Sequence, residues 1–310
     1  MPDRSDLVVE VPAKVNLALC VGPRRADGYH ELATLFQAVS LYDEVALSAR
    51  DDGQIRLAMT GEGSETLACD QTNLAMRAAV LMRERAEAPP GLGADIRIDK
   101  HVPMAGGMAG GSADAAAVLV GCNALWGLGL SLDQLAALGA ELGSDVSFLV
   151  YGGNALGTGR GEKLAPQPAG GQLEWVFATA PRGLSTPLVY RTFDDMAAQG
   201  RIRPNVELPD EALRDLCSGE AQRVAPWLRN DLQAAALELY PELATTLEAG
   251  RSAGALAAIV SGSGPTCAFL ATDAAAADRL AEQLPGLSSE VRDVRRAHGP
   301  VPGPQARVDG

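Results

Sequence analysis

The chain opens with a two-residue hydrophobic period. Within Lys14–Val21, the residues Val15, Leu17, Leu19 and Val21 share one face, and Lys14, Asn16, Ala18 and Cys20 share the other. Residues 7–22 therefore read as strand, Asp27-Gly28 as a hairpin turn, and 34–48 and 54–60 as further strands. The period then lengthens. Leu74, Ala78, Leu81 and Met82 form the apolar stripe of a helix from Asn73 to Glu87, which Pro89-Pro90-Gly91 stops. Ile96 and Ile98 mark another strand, and a helix is expected from Ser112 to near Gly127. Ser131 with Gln134 is a capping box for a helix over Leu132–Leu142. Farther on, Trp175–Thr179, Leu256–Val260 and Thr266–Leu270 read as strands, with helices near 230–239, 241–251 and 273–284. Pro166–Gly171 is the best linker candidate. The tail from Gly299 lacks periodicity and is expected to be mobile.

One segment fits neither period. Pro103, Met104, Ala105, Gly106, Gly107, Met108, Ala109, Gly110, Gly111, Ser112 and Ala113 form a glycine-dense loop running into an alanine-rich helix. Glycines let a ligand touch backbone, and a helix start offers unpaired N–H groups and a positive dipole end. The loop reads as a phosphate cradle, against the plainer alternative of a turn for close helix packing. It is not a Walker A loop, because no lysine lies between Lys100 and Lys163. Nor is it a dinucleotide fingerprint: its glycines come in Gly-Gly pairs, and Asp133 falls in the next helix.

Composition narrows the partners. The 310 residues suit one large domain or two ordinary ones. A net charge of −13 argues against nucleic acid and anionic membrane as partners, but a phosphorylated substrate can still meet a local positive field. The five cysteines contain no C-x-x-C pair and read as free thiols in a reducing compartment. Three scattered histidines, His30, His101 and His298, make a zinc site improbable, and no carboxylate spacing reveals magnesium ligands. With no signal pattern and no apolar run of membrane-spanning length, a soluble cytoplasmic protein is expected, monomer or homodimer. Only three of the 26 basic residues are lysines, at 14, 100 and 163. Lys100 and Lys163 are expected at the surface.

Several separate segments converge. Pro12-Ala-Lys-Val-Asn-Leu17, Arg25-Ala-Asp-Gly-Tyr-His30, Leu35-Phe-Gln37, Pro103–Ala116, Gly143-Ser-Asp-Val146 and Ser261-Gly-Ser-Gly-Pro265 together resemble the GHMP small-molecule kinases. The match is close over residues 8–165 and weak beyond, with Ser261–Pro265 as its anchor. Ala-Asp-Gly-Tyr-His is its most specific element. It points to the branch that phosphorylates the 2-hydroxyl of a cytidine diphosphate-linked methylerythritol on the non-mevalonate route to isoprenoid precursors. The resemblance implies an α+β fold, with a ribosomal-protein-S5-like subdomain over 1–165 and a ferredoxin-like one over 172–298; the aperiodic 299–310 are expected to be a disordered tail. It also implies ATP, Mg²⁺ and a small-molecule substrate in the cleft between the subdomains.

Residue by residue, the resemblance makes Lys14 catalytic, its ammonium facing developing charge on the acceptor oxygen, and Asn16 substrate-binding. Asp145 becomes the general base, although Gly-Ser-Asp is equally a helix cap. Tyr29 would stack on the cytosine, His30 would bond its edge, and Tyr190 would close the sandwich. Phe36 is pocket wall or core. Asn73 touches the adenosine or caps its helix. Gly262 and Gly264 line the substrate side or make a tight turn. The loop departs from the family pattern at Ala109 and Ala113. An alanine at positive φ is strained, so residue 109 is expected in an ordinary backbone region or the loop differs slightly. Two rivals stand: a family kinase acting on mevalonate, homoserine or a sugar, and a non-catalytic nucleotide-binding protein on the same scaffold.

Overall fold

The computed structural model describes residues 6–85, 91–103 and 106–308. Glu87, Pro89 and Pro90 of the expected helix stop, and Met104 and Ala105 of the glycine loop, lie outside them. The first half runs β1 (Leu7–Arg24), β2 (His30–Arg50), β3 (Ile55–Gly61), α1 (Leu74–Arg85), β4 (Gly93–Lys100), α2 (Gly110–Leu125), α3 (Leu132–Leu142), α4 (Ser144–Tyr151), β5 (Asn154–Gly159) and β6 (Lys163–Gln167). The second half runs β7 (Leu173–Thr179), α5 (Thr186–Ala198), α6 (Asp210–Leu216), α7 (Ala221–Val224), β8 (Arg229–Asn230), α8 (Gln233–Leu239) and α9 (Leu243–Ser252). It continues with β9 (Ala257–Val260), β10 (Cys267–Ala271), α10 (Ala274–Leu287), β11 (Asp293–Gly299) and β12 (Gln305–Val308).

The large sheet has the order β12-β1-β2-β4-β3. β2 is long enough to serve two partners: Leu32–Gln37 pair with β5, and Glu44–Arg50 pair with β4. Helices α1 to α4 supply Ala78, Met82, Val118, Leu119, Leu135 and Phe148 to a core shared with Val9, Val45, Leu47 and Ile96 of the sheet. The small antiparallel sheet has the order β11-β7-β10-β9, the ferredoxin-like arrangement. Strand alternation splits its side chains between two cores. Val176, Ala178 and Phe269 pack under Val189, Phe193, Leu247 and Leu280 of the helices. Trp175, Phe177 and Leu270 pack against Val15, Leu17 and Leu35 of the large sheet. Burying a large apolar side chain contributes about 1.5–3 kcal/mol, so this second layer is what binds the halves together.

Three expectations need correction. Pro166 and Gln167 of the linker candidate belong to β6, which pairs with β5, leaving 168–172 as the connection. The tail is not wholly mobile: Gln305–Val308 pair with Leu7–Glu10 as an edge strand, and Arg307 reaches Glu10 at 2.6 Å. Its polar sequence hid this, because an edge strand needs backbone partners rather than an apolar face. The sequence reading also placed no helix over 186–198, where α5 supplies a wall of the site.

Candidate active site

The glycine loop is held by backbone docking. Gly106 and Gly107 lie against the turn between β9 and β10, and a Cβ at Gly107 would sit 1.9 Å from the Ser261 carbonyl oxygen. Only glycine permits that approach. The Ser261 hydroxyl donates to the Gly107 carbonyl at 3.2 Å, and the Lys14 backbone N–H reaches the Met108 carbonyl at 3.3 Å. The Asn230 amide in turn donates to the Val260 and Gly262 carbonyls, at 2.7 Å each, and holds the turn. Met108 and Ala113 are wholly buried and border neither cavity, so they support the loop from the core side.

The helix after the loop begins earlier than expected. Ser112 is not its opening residue; α2 starts at Gly110, with Ala109 as its N-cap at φ 63°, ψ 32°. Residue 109 is therefore left-handed, and the expectation of an ordinary conformation fails. The Ala113 N–H donates to the Ala109 carbonyl at 2.9 Å, so the helix's first bond holds the strained residue in place. The strain costs about 1–2 kcal/mol for an L-residue. The helix start faces a cavity of about 300 Å³ bordered by Pro103, Gly106, Gly107, Ala109, Gly110 and Gly111.

Lys14, Asn16 and Asp145 border the same cavity. Lys14 and Asn16 are two apart on β1, and the ammonium donates to the Asn16 carbonyl oxygen at 2.7 Å. Asn16 Nδ2 donates to Thr34 Oγ1 at 2.8 Å, and Thr34 donates to the Ala18 carbonyl at 2.8 Å. Much of the Asn16 amide is thus engaged in aiming the lysine. Lys14 Nζ lies 3.7 Å from Asp145 Oδ2 and 5.9 Å from the centre of the Phe36 ring. Phe36 is both wall and core: it borders the cavity and stacks on Phe148 at 4.8 Å. Asp145 stands in the first turn of α4, whose N-cap is Gly143 with no side-chain cap bond. Its carboxylate, 34% exposed, faces Lys14 and the cavity rather than capping the helix. Gly262 lies beside both: a Cβ there would approach Gly107 O at 3.0 Å and Lys14 Nζ at 3.4 Å. Gly264 borders the cavity too.

A second cavity of about 490 Å³ adjoins the first, with Tyr29, His30 and Tyr190 in its wall. His30 is buried against Tyr190, their ring centres 5.0 Å apart, and meets Phe193 edge-on. His30 Nε2 lies 2.7 Å from Asp194 Oδ1. Tyr29, 55% exposed at the hairpin tip, is the solvent-facing wall. Burial and the charge of Asp145 push the Tyr190 phenol well above its ordinary pKa, so the ring stays neutral. Thr186, Tyr190 and Asp194 recur every four residues along α5, one helical face. That stripe is a sequence signal which the reading passed over, and with it Thr186 and Asp194.

Asn73 and Lys100 lie apart from both cavities. Asn73 borders neither cavity; its side chain accepts from the Ala75 N–H at 2.9 Å and donates to the Ala68 carbonyl at 2.9 Å, fastening the start of α1. Lys100 is not at the surface. It is 2% exposed and pairs with Asp43 and, at 2.7 Å, with Asp114. Asp43 also accepts the His101 and Val102 N–H groups, at 2.6 and 2.8 Å. A Cβ at Gly110 would stand 3.3 Å from Lys100 Nζ, so the cluster lies against the start of α2 and fastens both ends of the glycine loop. Burial opposes the Lys100 charge, yet Asp114 and Asp43 outweigh it and hold the pKa above the ordinary lysine value. Asp114 is pushed up to about 7, first by burial and then by Asp43, with Lys100 pulling the other way. Lys163 is exposed, as expected.

A glycine loop at a helix start, docked on a second-subdomain turn beside a lysine–aspartate pair, is the architecture of a small-molecule kinase. The chain matches the GHMP kinases N terminal domain over residues 73–153 and the GHMP kinases C terminal domain over 212–287. The chain belongs to the GHMP kinase family. It is 52% identical to the 4-diphosphocytidyl-2-C-methyl-D-erythritol kinase of Salinispora tropica, covering 95% of this chain and 92% of that one. It is also 52% identical to the kinase of that name from Thermobifida fusca, covering 96% and 97%. A crystal structure of 4-(cytidine 5'-diphospho)-2C-methyl-D-erythritol kinase superposes with a TM-score of 0.75 at 34% identity, covering 94% of this chain and 98% of that one. A homoserine kinase from Cytophaga hutchinsonii reaches 0.74 at 19% identity, covering 99% of each chain, a likeness of fold alone.

Proposed function

We propose that this protein transfers the terminal phosphoryl group of ATP to the 2-hydroxyl of 4-diphosphocytidyl-2-C-methyl-D-erythritol, in non-mevalonate isoprenoid precursor biosynthesis. The observation that carries the reading is the Lys14–Asp145 pair, 3.7 Å apart, in the cavity that the glycine loop borders and that adjoins the aromatic one. ATP phosphates fit the N–H groups of the cradle and the open end of α2. The cytosine fits between Tyr29 and the His30–Tyr190 wall, with Phe36 closing the floor beneath Lys14. The acceptor hydroxyl then lies by Asp145, which accepts its proton, while Lys14 faces the charge that develops on the oxygen. Phosphoryl transfer depends mainly on such positioning and charge balance. Among the described residues no cluster of three His, Cys, Asp or Glu side chains could cage a metal. Mg²⁺ instead fits as an ion carried in on the nucleotide phosphates, near Asp145, where it neutralises phosphate charge. No helix among the described residues is long and apolar enough to cross a membrane, and we place the enzyme in the cytoplasm.

The aromatic cavity separates this reading from its closest rivals, since homoserine and mevalonate have no base to stack. The test is ADP release with ATP and Mg²⁺ on 4-diphosphocytidyl-2-C-methyl-D-erythritol, homoserine and mevalonate in parallel. Turnover confined to the cytidine-linked acceptor is expected. Turnover confined to another acceptor, or nucleotide binding with no turnover on any, contradicts it.

A further inference from the structure

The glycine-rich hairpin between β5 and β6 reaches into the site at its turn. The turn is tightly specified. Gly159 and Gly161 have φ of 73° and 99°. The Gly159 N–H donates to Glu31 at 3.2 Å, and the Arg160 N–H donates to Glu162 at 2.6 Å. Gly161 packs toward Phe36 and Ser144, where a Cβ would find atoms of each at 3.5 Å. These contacts present the Arg160 side chain over the boundary between the two cavities. Leu32, Arg160, Thr186 and Tyr190 border both of them, and of these four Arg160 alone is charged. Its guanidinium lies 4.7 Å from the centre of the Tyr29 ring. Among the described residues it makes no ion pair, although the chain carries a net charge of −13.

We infer that Arg160 binds the diphosphate that joins the two ends of the substrate. The inference rests on the function proposed above, and it follows from connectivity. A base in the aromatic cavity and a hydroxyl at Lys14–Asp145 require the linking diphosphate to cross the boundary where Arg160 stands. A planar guanidinium grips phosphate oxygens in pairs, and stacking on Tyr29 pre-orients it. The same stack ties diphosphate recognition to base recognition, because Tyr29 carries the base on the cavity side.

The test is calorimetric titration of cytidine and of CDP into the wild type, Arg160→Met and Arg160→Lys. Wild type should bind CDP more tightly than cytidine. Arg160→Met should weaken CDP by about 10- to 100-fold while leaving cytidine within about 3-fold, the loss expected for a charge-assisted bond. Arg160→Lys, which keeps the charge but not the fork, should recover part of the CDP affinity. In turnover, Arg160→Met should raise KM far more than it lowers kcat. Equal weakening of cytidine and CDP would overturn the inference and make Arg160 a prop for Tyr29. Unchanged CDP binding would also overturn it. A wild type that binds neither cytidine nor CDP would overturn the underlying function as well.

Discussion

Lys14 and Lys100 both touch the glycine loop, and their surroundings could hardly differ more. Lys14 has one amide oxygen at 2.7 Å and one partly exposed carboxylate at 3.7 Å, and it borders an open cavity. Lys100 is sealed between two buried carboxylates and borders no cavity described above. The first ammonium keeps capacity for an incoming oxygen. The second has spent its capacity on the protein. The difference teaches how to tell a chemical group from a fastening when residue type is the same: by what remains unsatisfied and by which side faces solvent.

The sharpest way to break this comparison is Lys100→Met. It strands two buried carboxylates, and uncompensated buried charge costs about 3–5 kcal/mol. Urea denaturation should show a loss of that size, whereas Lys14→Met, which leaves only a partly exposed carboxylate unpaired, should lose less. Similar small losses for both would erase the distinction.

Next is a pH effect confined to the sealed cluster. The folded pKa of Asp114 is raised to about 7, above its unfolded value, so the folded chain binds the extra proton between the two. The contribution of Asp114 to stability is therefore full below about pH 4 and is lost as pH rises toward 7. Asp114→Asn should remove this dependence. Denaturation at pH 5 and pH 8 should show the wild type losing on the order of 2 kcal/mol relative to the variant. One Asp114 oxygen is buried with no hydrogen-bond partner among the described residues, which favours the protonated form. A parallel pH dependence in the two proteins would show that the carboxylate stays charged.

The smallest effect concerns the loop itself. Ala109→Gly removes left-handed strain but adds unfolded-state freedom, and the two nearly offset. Stability should move by less than about 1 kcal/mol. A loss above that, seen in thermal unfolding, would mean that the Ala109 methyl group is needed where it packs.

Much of this was legible in the chain. The capping box at Ser131 forms with both its bonds, and the Leu132–Leu142 helix follows it. The strand face shared by Lys14 and Asn16 is real, but the two-residue period breaks just after it: the register shifts between Asn16 and Ala18, so Ala18 packs in the core with Val15 and Leu17 while Leu19 borders the cavity with Lys14 and Asn16. The close docking of the loop was visible because backbone contact demands glycine. Lys100 misled because a buried ion pair depends on partners 57 and 14 residues away, which no local pattern records. Ala109 misled because the first hydrogen bond of α2, from the Ala113 N–H, holds its backbone against local preference. Arg160 was hidden in a glycine-rich turn whose meaning is the boundary it overhangs.

The central claim is that the open pair at Lys14 and Asp145 carries the chemistry. The direct measurement is turnover of ATP with 4-diphosphocytidyl-2-C-methyl-D-erythritol by wild type and Asp145→Asn, with denaturation of both as control. The account predicts a fall in kcat of about 100-fold or more, the low end of general-base effects, at unchanged stability. Wild-type turnover in a normally folded Asp145→Asn protein would contradict it.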